Sequence, residues 1–313
     1  MKVQILMSTY NGQKHMREQL DSILAQTLWE KPGYEWEVVV RDDGSKDDSC
    51  KILAEYEDAC ENIRVYREKN VGVIASFFEL IQKVGKDVDY IALSDQDDVW
   101  MPDKVECAVE CLNKGNAEQP LLYCSKPMLT DENLNPIPSI MYGDHVRPSF
   151  GNAMIENVCA GCTAVLNRRL IELVQVGIPG FTVMHDWWIY LLASCYGQVY
   201  FDPVPHMYYR QHGDNTVGVQ NNYWNEFKMR AKRFRANRYN IHKQLTSFEK
   251  SCETISKEMS LDISADKKEL IEQMLMAKEH FGMRIKLVKN PAIYRQRKGD
   301  DFIFAMILLT GTM

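Results

Sequence analysis

The chain has 313 residues, of which 45% are hydrophobic and 26% are charged, as in an ordinary globular protein of one large domain with an extension or of two domains. It contains no run of about 18 to 20 consecutive apolar residues, which excludes a simple hydrophobic membrane span. The net charge of −6 hides an asymmetry: residues 221–313 carry 18 Lys and Arg against 11 Asp and Glu, a balance of +7, whereas the other 220 residues carry 19 against 32, a balance of −13. The two parts therefore face different partners, and we expect no nucleic acid among them.

Strands and helices alternate in the first third of the chain. Apolar or β-branched runs predict strands at Lys2–Ser8, Glu37–Val40, Ile63–Tyr66 and Tyr90–Leu93, and apolar residues at helical spacing separate them. The first run has no small-residue cleavage site after it, so it is interpreted as a buried strand and not as a signal peptide. Such alternation predicts a mostly parallel sheet flanked by helices, with ligands bound beyond the carboxyl ends of the strands.

The middle of the chain is less regular, and the last part is helical. A proline-punctuated loop is predicted at Pro127–Arg147 and an apolar closing run at Phe302–Leu309. We expect a catalytic domain at 1–220, with a nucleotide-binding half at about 1–115 and an acceptor half at about 116–220, followed by a basic helical region at 221–313. Further predicted elements are strands at Leu121–Cys124 and Asn157–Leu166, helices at Arg168–Val176 and His185–Tyr196, and one or two strands within Gln198–Arg210.

Nine cysteines give an odd number for a chain of this length. Cys107 and Cys111 lie four apart on a predicted helix, and Cys159 and Cys162 form a single CxxC, which is weak support for zinc without a second pair. We expect free, mostly buried thiols in a reducing cytosol.

An acidic motif, Asp95-Gln96-Asp97, follows the fourth predicted strand. Side chains two apart in an extended segment point to the same side, so both carboxylates can approach one divalent cation. The alternative is a solvated acidic turn that precedes the helix beginning near Pro102.

A second acidic motif, Asp42-Asp43-Gly44-Ser45, ends the second predicted strand. A carboxylate there can accept a hydrogen bond from the N3–H of a pyrimidine, while Gly44 permits a tight turn. A helix N-cap is the alternative, and different residues of the same turn can serve both roles.

Two aromatic and polar motifs lie further along the chain. His185-Asp186-Trp187-Trp188 begins a predicted helix, where Asp186 could simply favour the helix dipole and the Trp pair could form core or a platform for a sugar. Tyr209-Arg210-Gln211-His212, with Asn215, offers groups that could stabilise a departing diphosphate, although a lone His is more often structural.

Taken in order, these motifs resemble the family 2 glycosyltransferases of the GT-A fold. The segments STYNG, RDDGS, NVG and SDQDDVW occur in that family's order and approximate spacing, and AGCTAVLNRR, HDWW and YRQHGDN follow in its acceptor half. The resemblance runs from Lys2 to about Asn215 and is strongest to bacterial rhamnosyltransferases of cell-wall or surface polysaccharide synthesis. The chain departs from the family pattern at two places: His185-Asp186 stands where an acidic pair is common, and Ala160-Gly161 stands where two glycines are frequent. Neither departure removes a carboxylate, and both are interpreted as subfamily variation.

The resemblance implies an inverting transfer of a sugar, with L-rhamnose favoured, from a nucleotide-diphosphate donor by a single displacement. It makes Asp186 the catalytic base and Asp97, with His212 as a candidate, the ligand of Mg²⁺ or Mn²⁺. Trp187 and Trp188 become acceptor or sugar contacts. The donor-binding residues that it implies are Thr9, Tyr10, Asn11, Asp42, Asp43, Asn70, Asp95, Gln96 and Arg210.

The resemblance also implies the partners of the chain. These are dTDP-L-rhamnose, with UDP-sugars as the alternative, and a glycan or lipid-linked glycan acceptor. A catalytically inactive carbohydrate- or membrane-binding relative is the non-enzyme alternative, and a nucleotidyltransferase lacks support because only Gly12 follows the first strand. We expect a cytoplasmic protein that docks on an anionic inner leaflet through 221–313, or whose apolar run 302–309 packs on the main domain instead.

Overall fold

Two β-sheets and the helices around them make up the computed structural model, which describes residues 1–138, 145–211 and 239–312. The strands are β1 Lys2–Thr9, β2 Glu35–Asp42, β3 Ile63–Arg67, β4 Tyr90–Ser94, β5 Val99–Trp100, β6 Leu121–Ser125, β7 Met128–Thr130, β8 Val165–Asn167, β9 Gln198–Asp202 and β10 Met207–Arg210. The helices are α1 Met16–Leu24, α2 Ser49–Ala59, α3 Val73–Gln82, α4 Lys104–Asn113, α5 Phe150–Ala153, α6 Arg168–Val176, α7 His185–Tyr196, α8 Asn240–Met259, α9 Ala265–Met276, α10 Phe281–Val288 and α11 Lys298–Thr310.

The larger sheet has seven strands in the order β3-β2-β1-β4-β8-β6-β9. Strands β3, β2, β1 and β4 are parallel, and β8 runs antiparallel between β4 and β6. In this register Thr9 lies beside Asp42, and Met7 lies beside Ser94. The chain therefore leaves β1, β2 and β4 at one edge of the sheet. A smaller sheet, β5-β10-β7, covers the segment that follows β4.

Apolar layers cover both faces of the larger sheet. Alternate residues of β1 point to opposite faces: Ile5 and Met7 pack with α1, α2 and α4, whereas Leu6 packs with α3, α6 and α7. A strand buried on both faces is apolar along its whole length, which explains the continuous apolar run at the N-terminus.

The C-terminal helices extend the layer that contains α6 and α7. Phe248 of α8 makes an edge-to-face contact with Trp188, with ring centroids 5.6 Å apart. Phe304 and Leu308 of α11 are buried in the same apolar cluster. Arg295 joins this region to Glu156 through a 3.1 Å ion pair. Helices α8–α11 thus share one core with the sheet.

The helices predicted at Arg168–Val176 and His185–Tyr196 are confirmed, and the strand predicted at Asn157–Leu166 is wrong for most of its length. Only Val165–Asn167 is a strand, preceded by a 3₁₀ turn at Gly161–Thr163. Gly161 allows this turn to approach α7 closely, because a Cβ at this position would lie 2.9 Å from His185 Nε2. Among the described residues, no helix has the length and apolar character needed to cross a bilayer.

Candidate active site

A cavity of about 560 Å³ opens at the edge where β1 and β4 end. One wall comes from the segments after these strands, and the opposite wall comes from the beginning of α7 and the turn at Gly161–Thr163. Its lining residues include Tyr10, Asp43, Asp95, Gln96, Asp97, Asn157, Gly161, Cys162, His185, Asp186, Trp187 and Tyr209.

Gln96 joins the segment after β4 to the end of β1. Its Oε1 accepts hydrogen bonds from Thr9 Oγ1 at 2.6 Å and from Tyr10 N at 2.8 Å, and its Nε2 donates to Tyr10 O at 3.2 Å. A Cβ on Gly12 would lie only 2.5 Å from this Oε1, so Gly12 leaves room for the amide. Gln96 and the buried Thr9 therefore fix the cavity wall, while Tyr10 is exposed at its rim.

Asn11 braces the neighbouring turn after β2. Its backbone N donates to Ser45 Oγ at 2.9 Å, and its Oδ1 accepts from Lys46 N at 2.8 Å. Asn11 has φ 51°, a left-handed conformation that Asn tolerates better than most residues. The structure therefore gives Asn11 a positioning role between the ends of β1 and β2.

Asp42 is buried at the end of β2, behind the cavity wall. Its Oδ2 accepts from Ser45 N at 3.1 Å and from Cys50 Sγ at 3.3 Å. Its Oδ1 is also buried but accepts no hydrogen bond from the described residues. Such an oxygen is costly to bury unless a donor reaches it.

Asp43 lines the cavity, but its carboxylate is already engaged on both oxygens. Arg41 and Val71 N donate to Oδ1, the latter at 2.8 Å, and Gly72 N donates to Oδ2 at 2.9 Å. Asp43 therefore ties the loop after β3 to β2. Asn70 in that loop is exposed beside the turn at Gly44 and does not line the cavity.

Three carboxylates crowd together where β4 ends. Burial, followed by the charges of Asp97 and Asp186, raises the pKa of Asp95 to about 7. Burial and the charges of Asp97 and Asp95 also raise the pKa of Asp98 well above its ordinary value. Asp98 Oδ1 accepts from Arg210 N at 3.2 Å, and its buried Oδ2 accepts no hydrogen bond within the described ranges.

The carboxylates of this cluster fit a hard divalent cation, whereas the neighbouring Cys162 thiol is a soft group that such an ion does not prefer. Asp95, Asp98 and Cys162 each offer one ligand atom, and these atoms lie within 4.8 Å of one another. The carboxylate oxygens suit Mg²⁺ or Mn²⁺, and a cation would relieve the repulsion that raises the pKa of Asp95. The predicted metal ligand Asp97 lies in the same cavity wall, whereas the predicted ligand His212, like Asn215, lies outside the described residues.

Asp98 and Lys104 are parts of this site that sequence reasoning did not assign to metal binding or to the donor. The ammonium group of Lys104 lies 3.6 Å above the ring centroid of Trp100, and burial lowers its pKa to about 7. The presence of a third acid in the DQDD motif was the available signal for Asp98. A lysine in the first turn of a helix carries no comparable signal of burial.

Arg210 contacts the acidic segment from the side that faces away from the cavity. Its Nε donates to Asp97 O at 3.0 Å, and its Nη2 forms an ion pair with Glu18. The side chain is buried and does not line the cavity. The expectation that Arg210 binds the donor directly is therefore corrected, because its guanidinium is held by protein groups and instead supports the Asp97-Asp98 loop.

Asp186 faces the acidic cluster from the beginning of α7. Its Oδ2 accepts from Gly161 N at 3.0 Å, and its Oδ1 accepts from Trp187 N at 2.6 Å. Burial raises the pKa of Asp186 to about 6, so it is mostly ionised at pH 7 and more basic than an exposed aspartate. His185 stacks on Phe77 at 4.1 Å, and burial lowers its pKa to about 3, which leaves it neutral.

The two tryptophans after Asp186 have different environments. Trp187 lines the cavity, and its Nε1 donates to Ala153 O at 2.6 Å. Trp188 has no exposed surface, and its Nε1 donates to Gly177 O at 2.8 Å. The expectation that Trp188 contacts a sugar is corrected, because this ring is enclosed by the core on the far side of α7.

The sheet and the cavity at its carboxyl edge define a glycosyltransferase of the GT-A fold, and comparisons with known proteins support this. Two crystal structures of Staphylococcus aureus TarS 1–349 match 99% of the chain. The complex with UDP-GlcNAc has a TM-score of 0.56 at 15% identity over 91% of its chain, and the complex with UDP has 0.54 at 14% over 90%. These similarities concern the fold.

The model of glycosyl transferase family 2 matches residues 4–174, and the chain belongs to this family. A dTDP-rhamnosyl transferase, RfbG of Shigella flexneri, is 30% identical over 71% of this chain and 77% of its own length. An uncharacterized glycosyltransferase of Rickettsia prowazekii is 25% identical over 72% of this chain and 69% of its own length.

Proposed function

We propose that the chain transfers a hexose from a nucleotide-diphosphate sugar to a glycan acceptor by a metal-assisted single displacement that inverts the anomeric centre. One observation carries this proposal: Asp186 and the Asp95–Asp97 pair face each other across one cavity, near enough for the charge of Asp186 to raise the pKa of Asp95. The test is product formation from a nucleotide sugar in the presence of Mg²⁺ or Mn²⁺, with the anomeric configuration read by NMR. Full turnover in excess chelator, or retained configuration, contradicts it.

In this mechanism Asp186 is the general base. Its carboxylate is held by two backbone N–H groups and has a pKa raised to about 6, so it is ionised at neutral pH and basic enough to accept a hydroxyl proton. The acceptor oxygen attacks the anomeric carbon from the Asp186 side, and the nucleotide diphosphate leaves toward the acidic cluster. His185, neutral and stacked on Phe77, excludes water beneath the base.

Asp95, Asp97 and Asp98 are the residues that would hold the divalent cation. An ion held there would supply Lewis-acid neutralisation of the negative charge on the leaving diphosphate, a contribution worth several kcal/mol. Arg210 and Gln96 keep the loop that carries these acids in place, through hydrogen bonds to Asp97 O and to Tyr10. The chain's own contribution is thus a rigid, acidic wall opposite the base.

Asp42 is the candidate group for recognising the nucleobase. Its buried Oδ1 accepts no hydrogen bond in the described part of the chain, and the N3–H of a pyrimidine base can donate one to it. Asp42→Ala should weaken binding of thymidine and uridine diphosphates more than that of guanosine diphosphate. Equal loss for all three would assign Asp42 to the structure of the β2 turn.

The donor we favour is dTDP-L-rhamnose, because the relative from Shigella flexneri is a dTDP-rhamnosyl transferase that covers most of the chain. UDP-sugars are the alternative, since TarS was crystallised with UDP-GlcNAc. A screen of dTDP- and UDP-sugars for metal-dependent release of the nucleotide diphosphate decides between them. Release from a UDP-sugar with none from dTDP-rhamnose contradicts the rhamnosyl assignment.

We place the enzyme on the inner face of a membrane, where a lipid-linked glycan would present the acceptor. Residues 281–298 contain no acid, and 221–313 carry a net charge of +7. Each basic residue near an anionic surface contributes about 1 kcal/mol to binding. Apolar side chains that α10 and α11 leave exposed are Phe281, Ile285, Val288, Phe302, Ile303 and Met306.

Vesicle flotation tests this placement. Binding should require anionic phospholipid, should weaken as salt rises, and should fall in a Phe302→Ser, Ile303→Ser double variant that keeps its fold. An Ile178→Ser variant, altered at an exposed apolar residue far from α11 in sequence, is the control. Equal binding to neutral vesicles would contradict docking on an anionic surface, and binding that the double variant leaves unchanged would leave 302–309 as a packing segment only.

A further inference from the structure

A group of metal-ligating side chains lies outside the active-site cavity, where α4 meets the segment before β10. Asp103, Cys107 and His206 each offer one ligand atom, and these atoms all lie within 4.8 Å of one another. Asp103 Oδ2 is 3.1 Å from His206 Nδ1 and 3.6 Å from Cys107 Sγ. Zinc bonds of ordinary length in a tetrahedral arrangement place neighbouring ligand atoms about 3.3 to 3.6 Å apart. The Asp103–Cys107 distance matches this spacing and the Asp103–His206 distance is slightly shorter, so the three side chains lie close enough to converge on one zinc ion.

The environment of His206 is a second, independent observation. Its Nε2 lies 3.4 Å from Asp202 Oδ2, so the buried ring has a carboxylate at each of its two nitrogens. A neutral imidazole has one N–H and can donate to only one of them. A cation between His206 and Asp103 leaves the other ring nitrogen free to donate its proton to Asp202.

Asp202 lies on the side of His206 where a carboxylate that orients a metal-bound histidine would stand. It faces the nitrogen of His206 that points away from Asp103, and it accepts a 2.9 Å hydrogen bond from Tyr123 Oη. A ligating His commonly donates its other N–H to a carboxylate in this way, which fixes the ring and increases its basicity.

We propose that Asp103, Cys107 and His206 bind one Zn²⁺ ion, oriented by Asp202 and completed by water at the exposed side of Asp103. The ion would connect the start of α4 to the β9–β10 loop, where Met101 N already donates to His206 O at 2.9 Å. Both connected segments are close in sequence to the active site: Asp103 follows Asp98 by five residues, and His206 precedes Arg210 by four. The zinc is thus a structural ion that stabilises the segment carrying Asp95, Asp97 and Asp98.

Cobalt substitution tests the proposal on the full chain. Co²⁺ bound by a thiolate gives a near-ultraviolet charge-transfer absorption, which should appear at one equivalent and disappear in Cys107→Ser. Zinc affinity, measured by competition with a chromogenic chelator, should fall at least ten-fold in Cys107→Ser and His206→Gln. Asp202→Asn should lower it about 10- to 100-fold while keeping the absorption. Cys60→Ser, another half-buried thiol, is the matched control.

Cys162→Ser separates this site from the catalytic acids, because Cys162 lies beside Asp95 and Asp98. Absorption that persists in Cys107→Ser, or that is lost only in Cys162→Ser, overturns the proposal, as does the absence of binding. Should a variant fail to fold, zinc-edge X-ray absorption of the wild-type chain decides: one sulfur neighbour with nitrogen and oxygen supports the site, and oxygen neighbours alone contradict it.

Discussion

The strand ends around the cavity and the C-terminal helices bury opposite kinds of groups. At the strand ends, Asp95 and Asp98 are crowded carboxylates with raised pKa values. In α8 and α11 the buried groups are apolar, such as Phe248 and Leu308. Burying like charges costs stability and burying apolar surface supplies it, so the second region offsets the strain of the first. Substitutions around the cavity should therefore change mainly the rate of transfer, and substitutions in the C-terminal core should change mainly the free energy of unfolding.

The largest effect is expected at the base. Asp186→Asn removes the proton acceptor but keeps an oxygen for Gly161 N, so transfer should fall about 10²- to 10⁴-fold while donor affinity and folding change little. Steady-state kinetics at saturating donor measure this. Asp89→Asn is the control, because Asp89 also accepts a backbone N–H, at the opposite edge of the sheet. Near-normal turnover with weakened donor binding would make Asp186 a binding residue.

The pH dependence of transfer should identify the same group. The base must be ionised, and the pKa of Asp186 is about 6, so the rate at saturating substrates should fall as pH decreases through about 6. A pH profile with metal held in excess measures this, and the decline should be absent from the residual activity of Asp186→Asn. An unchanged decline in the variant would assign the titration to another group.

The C-terminal core should give the opposite result. Leu308→Ala removes a fully enclosed side chain and should lower the free energy of unfolding by about 2 to 5 kcal/mol. Ile303→Ala on the exposed side of the same helix should cost less than about 0.5 kcal/mol. Urea unfolding measures both, and the rate constant of the folded fraction should stay unchanged. A similar cost for the two would show that α11 does not pack as described.

The smallest effect is a gain in stability at the acidic wall. In the folded chain the pKa of Asp95 is raised from 3.8 to about 7, so its contribution is favourable below pH 3.8 and is lost as pH rises through about 7. Asp95→Asn should therefore unfold at a higher temperature than the wild type at pH 8 without divalent ions, and the difference should vanish near pH 4. Asp58→Asn, on the exposed face of α2, should show neither change. A less stable variant at pH 8 would mean that the carboxylate is paired.

Local patterns were sufficient to predict the strand ends and the helix start that frame the cavity. Asp42 and Asp95 each follow a run of apolar residues, and the parallel alternation places such strand ends at one edge. The start of α7 at His185 was predicted for the same reason, since its aromatic and apolar residues are contiguous.

The remaining features depend on which element packs against which. A sequence cannot show that Trp188 turns into the core while Trp187 reaches the cavity, because both follow Asp186 on an almost wholly buried helix. Arg210 was predicted to bind the donor, but its distant partner Glu18 holds it behind the wall. The proximity of Cys107 to His206 likewise depends on tertiary structure, since 98 residues lie between them in the sequence.

The hydrogen bonds between Gln96 and the end of β1 have a consequence for the thermodynamics of donor binding. The segments after β1 and β4, which together form one wall of the cavity, are joined before any ligand arrives, and Gly12 admits the amide that joins them. The conformational entropy of these loops is therefore lost when the chain folds and not when the donor binds. A Gln96→Ala enzyme would have to order both loops around each incoming donor, so its association would become slower and more exothermic at equal contact.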